Sequence, residues 1–75
     1  MIIEWAEVTD SERVSAVAYV AEQQWICVRF VKDGVEWCYE GCSADEFEQF
    51  CAPGQSKGKF IHDVLNAKLH HKLIY

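Results

Sequence analysis

The sequence lacks any apolar run long enough to cross a bilayer as a helix. Its opening residues, Met-Ile-Ile-Glu-Trp-Ala-Glu, lack the basic start and apolar stretch of a secretory signal. Both absences point to a cytoplasmic protein with no membrane partner, so Cys27, Cys38, Cys42 and Cys51 are expected as free thiols. Basic residues are scarce: seven Lys and Arg stand against twelve Asp and Glu, a net charge of −5. That sign argues against strong nonspecific binding to nucleic acid. There is no repeat, no low-complexity tract and no linker, so residues 1–75 make a single domain. Close cysteine pairs are missing too. Only Cys38 and Cys42 are near one another, and the histidines cluster at 62, 70 and 71, so the pattern calls for no metal or cofactor. No nucleophile sits in a recognisable catalytic motif, and His62-Asp63 alone does not make an enzyme.

What the chain does have is aromatic bulk. Three Trp, three Tyr and four Phe in 75 residues supply a core that so short a chain otherwise builds with difficulty. About half the residues are apolar (51%), which separates the chain from disordered segments.

The breaks are few, and each marks an element end. Asp33-Gly34 lies between two apolar-rich runs and suits a two-residue hairpin loop. Placing Lys32 opposite Val35 sets Phe30 against Trp37 and Val28 against Tyr39, with Ile26 near Gly41. These side chains share one apolar face. Trp25, Cys27, Arg29 and Val31 share the other with Glu36, Cys38 and Glu40, and Arg29 falls among the two acids. Val14 to Val20 alternate and form the preceding strand, turned back by Ala21-Glu22-Gln23-Gln24. Ser43 and Glu46 make a capping box for a helix reaching about Cys51, stopped by Pro53-Gly54. Ser56 caps a second helix whose buried side carries Phe60, Ile61, Val64, Leu65 and, if it runs on, Leu69. Residues 68–75 fit either a continued helix or a last strand. Residues 1–10 form an N-terminal extension that adds an edge strand or covers the second sheet face. The expected fold is α+β, a three- or four-stranded antiparallel meander with two helices packed on one face.

Charge is distributed unevenly. Residues 1–54 hold eleven acids against Arg13, Arg29 and Lys32, whereas residues 55–75 hold Lys57, Lys59, Lys68 and Lys72 against Asp63 alone. Within the basic part, Ser56-Lys57-Gly58-Lys59 reads in two ways. It is a phosphate cradle of helix-start N–H groups and lysines, or it is an N-cap with a glycine that permits close packing. His62, Lys68, His70, His71 and Lys72 extend the basic surface if they lie nearby. Trp37 and Tyr39 could stack on bases, although the strand register places them on the core face.

These segments together resemble the KTSC domain, a short module named after the C-terminal region of some lysyl-tRNA synthetases and found as small stand-alone bacterial and phage proteins. Ser11, Val14, Val17 and Tyr19 fit its opening pattern, and Ile26, Val28 and Phe30 its central strand. Asp33-Gly34 fits its turn, and Phe47 and Phe50 the helix that follows. Trp37-Cys38-Tyr39 stands where the family has Tyr-x-Tyr. Ser56-Lys57-Gly58-Lys59-Phe60 is the closest match. The resemblance spans roughly Val8 to Leu69 and implies a non-enzymatic module that binds RNA, tRNA or another phosphate-bearing ligand. The alternative is a protein-interaction module, such as a phage or mobile-element product that blocks a host protein. Its acidic surface would be Glu4, Glu7, Asp10, Glu12, Asp45, Glu46 and Glu48. A homodimer through Trp25, Cys27 and Val31 is a further expectation.

Overall fold

The computed structural model describes residues 2–74. Met1 and Tyr75, the outer ends of the expected domain, extension and tail, lie outside the described residues. The alternating stretch forms strand β2 (Val14–Val20), followed by β3 (Trp25–Phe30) and β4 (Glu36–Tyr39) in an antiparallel meander. Two short strands complete the sheet at its edges: β1 (Ala6–Glu7) beside β2, and β5 (His70–Lys72) beside β4. The sheet therefore has five strands in the order β1-β2-β3-β4-β5, where three or four were expected. The two additions are the segments whose pattern was ambiguous. Each is too short to show a period of its own and is held by the edge it extends.

The hairpin register also differs from expectation. Val28 faces Trp37 and Ile26 faces Tyr39, a shift of two residues. The cause lies outside the hairpin. The Val31 N–H donates to the carbonyl of Arg13 at 2.8 Å, which ties Val31 to the start of β2. Pairing between β3 and β4 thus closes at Phe30 and Val35, and residues 31–34 form the loop, with Asp33 (φ 62°) and Gly34 (φ 64°) in the left-handed region. A shift by two preserves every side-chain face, so the expected core face survives intact.

Helices α1 (Ala44–Cys51) and α2 (Lys57–Asp63) pack on that face. The Glu46 N–H donates to Ser43 Oγ at 3.1 Å, and the Ser43 N–H donates to Glu46 Oε1 at 3.0 Å, which is the expected capping box. Val14, Val17, Ile26, Val28 and Tyr39 from the sheet meet Phe50, Phe60, Ile61 and Leu65 from the helical side. The second helix is shorter than its apolar pattern suggests. A 3-10 turn over Leu65–Ala67 follows it, and the chain then becomes β5, leaving Leu69 exposed and not on a buried helix side.

The other sheet face is covered without a helix. Ala18, Cys27 and Cys38 are buried there under Ile3, Trp5, Trp25 and Leu73. The N-terminal segment adds β1 at the sheet edge and lays Ile3 and Trp5 over this face. Cys27 sits directly opposite Cys38 and is fully enclosed, so it offers nothing to a dimer surface. The neighbouring Cys38 thiol and burial hold the Cys27 thiol protonated far above its ordinary range. Arg29 packs over the Trp5 ring at 4.6 Å and pairs with Glu36 at 2.6 Å. Among the described residues no helix is long and apolar enough to cross a membrane.

Candidate functional site

Two charged side chains are buried in the described part of the molecule, and they are handled differently. Glu36, 8% exposed, has Arg29 beside it. Lys57, 9% exposed, opens α2 and lies with its Nζ 5.7 Å from the centre of the Phe50 ring. No carboxylate lies within ion-pair distance of Lys57 among the described residues. An ammonium held out of bulk water without a counter-charge is costly, of the order of several kcal/mol when enclosure is complete. No fully buried side-chain nitrogen or oxygen is left without a partner in the described residues, so the ammonium meets solvent where Lys57 lines two clefts.

The first of these clefts, about 300 Å³, lies between the loop that leads into β2 and the start of α2. Ser11, Arg13, Gln55, Ser56, Lys57 and Gly58 form its walls, together with the acids Asp10 and Glu12. Local hydrogen bonding fixes both walls. Ser11 Oγ accepts from the N–H groups of Arg13 (3.3 Å) and Val14 (3.2 Å), while Ser56 Oγ accepts from the Lys59 N–H at 3.2 Å. Gly58 explains itself here. A Cβ at that position would stand 3.4 Å from Arg13 Nη1 and 3.5 Å from its Cδ, the tight end of ordinary contact, so the arginine side chain lies directly against the glycine. The close approach expected at Gly58 is thus made by a side chain, and Arg13 is a site residue that the sequence reading passed over. Its only signal was the glycine itself, an unfavourable residue in a helical turn.

The rest of the expected basic surface is dispersed. Lys59 leaves the cleft and pairs with Asp63 at 2.7 Å. That bond raises the Lys59 pKa above its ordinary value and, with His62 at 3.0 Å, lowers that of Asp63. Lys68, His70, His71 and Lys72 lie along the β4–β5 edge, whereas Lys57 and the Arg13 loop lie by β1 and β2 at the other. Five strands at about 4.8 Å spacing put those edges roughly 19 Å apart. Lys68 is taken up by Glu46 at 2.9 Å and by the Gly41 carbonyl, and His71 by Glu40 at 2.9 Å. The His70 ring sits 5.5 Å from Trp37 and 5.3 Å from Tyr39. Tyr39 is buried, its hydroxyl pKa raised by that burial, and Trp37 is half-buried, so core packing accounts for both. No group of three or more His, Cys, Asp or Glu side chains able to hold a metal ion occurs among the described residues.

Comparison with known proteins supplies a fold and no activity. The chain matches no protein-family model, and no curated protein is significantly similar to it. Among solved structures, a KTSC domain protein from Yersinia pestis is similar to it with a TM-score of 0.84, over 97% of this chain and 100% of that one, at 22% identity.

Proposed function

We propose that this chain, which has the fold of a KTSC domain, is a non-enzymatic binding module that takes one phosphate-sized anion at Lys57, Arg13, Ser56 and Gly58. Lys57 carries the proposal. It is a nearly buried lysine with no carboxylate in ion-pair distance among the described residues, in a protein that has acids to spare. Lys59 and Lys68, by contrast, each have a carboxylate. An anion in the cleft would supply the missing charge, and Arg13 adds a guanidinium whose planar donors suit a phosphoryl group.

The same geometry favours a single phosphate over an RNA or tRNA strand. A strand needs a continuous basic track, and the residues expected to extend one are at the far edge or already paired. Of the seven acids behind the protein-interaction reading, Glu46 is bound to Lys68 and Ser43.

Titration with inorganic phosphate, followed by amide NMR, tests the proposal. Phosphate is expected to move the amide signals of Arg13 and of Ser56 to Lys59. Lys57→Met keeps the aliphatic stem and should abolish the response. Unmoved signals around Lys57 at high phosphate would refute the reading. Tight, salt-sensitive tRNA binding that survives Lys57→Met would return the strand reading with a different site.

A further inference from the structure

We infer that the anion at Lys57 is one end of a larger ligand, a phosphate monoester of an aromatic ring whose ring lies in the adjoining apolar cleft at Phe30, Val31 and Val35. The inference rests on the phosphate reading and adds the chemical class of the rest of the ligand. Two neighbouring clefts share Glu12 and Arg13 as common walls. One is the polar cleft at Lys57. The other, about 620 Å³, has Phe30, Val31 and Val35 as its apolar wall and the charged Lys32 and Asp33 beside them, and falls within the usual size of small-molecule sites.

The apolar wall is preformed. Its backbone is pinned by the Val31 N–H on Arg13 and the Phe30 N–H on Val35, both at 2.8 Å. Val31 is left 54% exposed, and this is a β-branched apolar side chain held out in water by bonds that fix its place. Arg13 belongs to both clefts and suits both parts of such a ligand. A guanidinium donates in its plane to phosphate oxygens and stacks with its face on a ring. Asp10 and Glu12 set the charge limit. Their carboxylates on the same walls oppose a second phosphoryl group, which selects a monoester over a polyphosphate or a nucleic-acid strand.

The probes are inorganic phosphate, phenyl phosphate and 1-naphthyl phosphate, titrated into the full chain and followed by amide NMR. Naphthyl phosphate is expected to bind at least about tenfold more tightly than inorganic phosphate, the return from burying a ring on three apolar side chains. It should move the signals of Val31 and Lys32 in addition to those of Lys57 and Gly58. Val31→Ser should remove that gain and leave the affinity for inorganic phosphate unchanged, with Val31→Asn as a second uncharged variant should the first disturb the loop. Equal affinity for all three probes, with shifts confined to Lys57 and Gly58, would overturn the inference and leave the phosphate reading standing. A naphthyl phosphate gain that persists in both Val31 variants would overturn it as well. No response to any probe would remove both.

Discussion

At the scale of single residues, Glu36 is a buried charge with an ion-pair partner, whereas Lys57 is a buried charge whose proposed partner is a ligand. Glu36 and Arg29 face each other across β3 and β4, and Glu36 is the more enclosed partner. Glu36→Ala leaves the guanidinium without its acid and is expected to lower stability by about 1–2 kcal/mol, less than for a fully buried pair because Arg29 is about a third exposed. Urea unfolding measures this, and an unchanged midpoint would show that solvent screens the pair. Gly58 gives the complementary case. Gly58→Ala gains up to about 1 kcal/mol of helix propensity, and its new Cβ presses on the flexible end of Arg13. The variant should be as stable as the parent or more so, yet bind phosphate more weakly. A stability loss would mean that Arg13 cannot yield. The charge on Lys57 was legible in the sequence, but its enclosure was not. Nothing in the order Ser-Lys-Gly-Lys tells which lysine turns inward over Phe50 and which turns out to Asp63.

At the scale of elements, local signals carried the central strands and α1. The alternation of Val14–Val20 and the Ser43/Glu46 box each describe an element that its own residues stabilise. Ser43→Ala removes the cap and is expected to cost about 1 kcal/mol, read from chemical denaturation. Glu46 adds a pH dependence. The Ser43 backbone N–H and Lys68 lower its pKa from the ordinary glutamate value, so its folded form binds a proton less readily than its unfolded form. The associated stability is present above the unfolded value of about 4.3 and drains away as pH falls through the lower folded value. Glu46→Gln should flatten that acid limb. A limb unchanged in the variant would assign acid lability to other carboxylates. Elements held from outside were not legible. The hairpin loop is set by a bond from Val31 to Arg13, 18 positions away, and β5 exists because β4 offers it an edge.

At the scale of the whole molecule, folding dissolves the charge asymmetry of the sequence. The basic C-terminal part meets the acidic body through Lys68–Glu46 and His71–Glu40, and Lys59 meets Asp63 within its own helix. Lys59 and Lys68 of the basic part are thereby paired, whereas Lys72 lies on the far edge strand and Lys57 lies beside Arg13 with no ion pair among the described residues. The two-faced core predicts a thiol pattern as well. Cys51 is exposed, while Cys27, Cys38 and Cys42 are enclosed. A thiol reagent should label Cys51 alone in the native protein and all four cysteines on unfolding. Rapid native labelling of Cys27 or Cys38 would show that the Ile3–Trp5 cover opens readily.

The central claim is that Lys57 has no carboxylate partner among the described residues because a ligand supplies the counter-charge. It is tested most directly by thermal unfolding of the parent and Lys57→Met, each with and without phosphate. Without phosphate the variant should melt higher, because an apolar side chain replaces an unpaired ammonium. A gain of about 1 kcal/mol corresponds to roughly 4–8 °C for a domain of this size. With phosphate the parent should rise and the variant should not, since only a ligand that binds the folded state stabilises it. A variant that melts lower than the parent, or that rises equally with phosphate, would contradict the account and make Lys57 a structural residue.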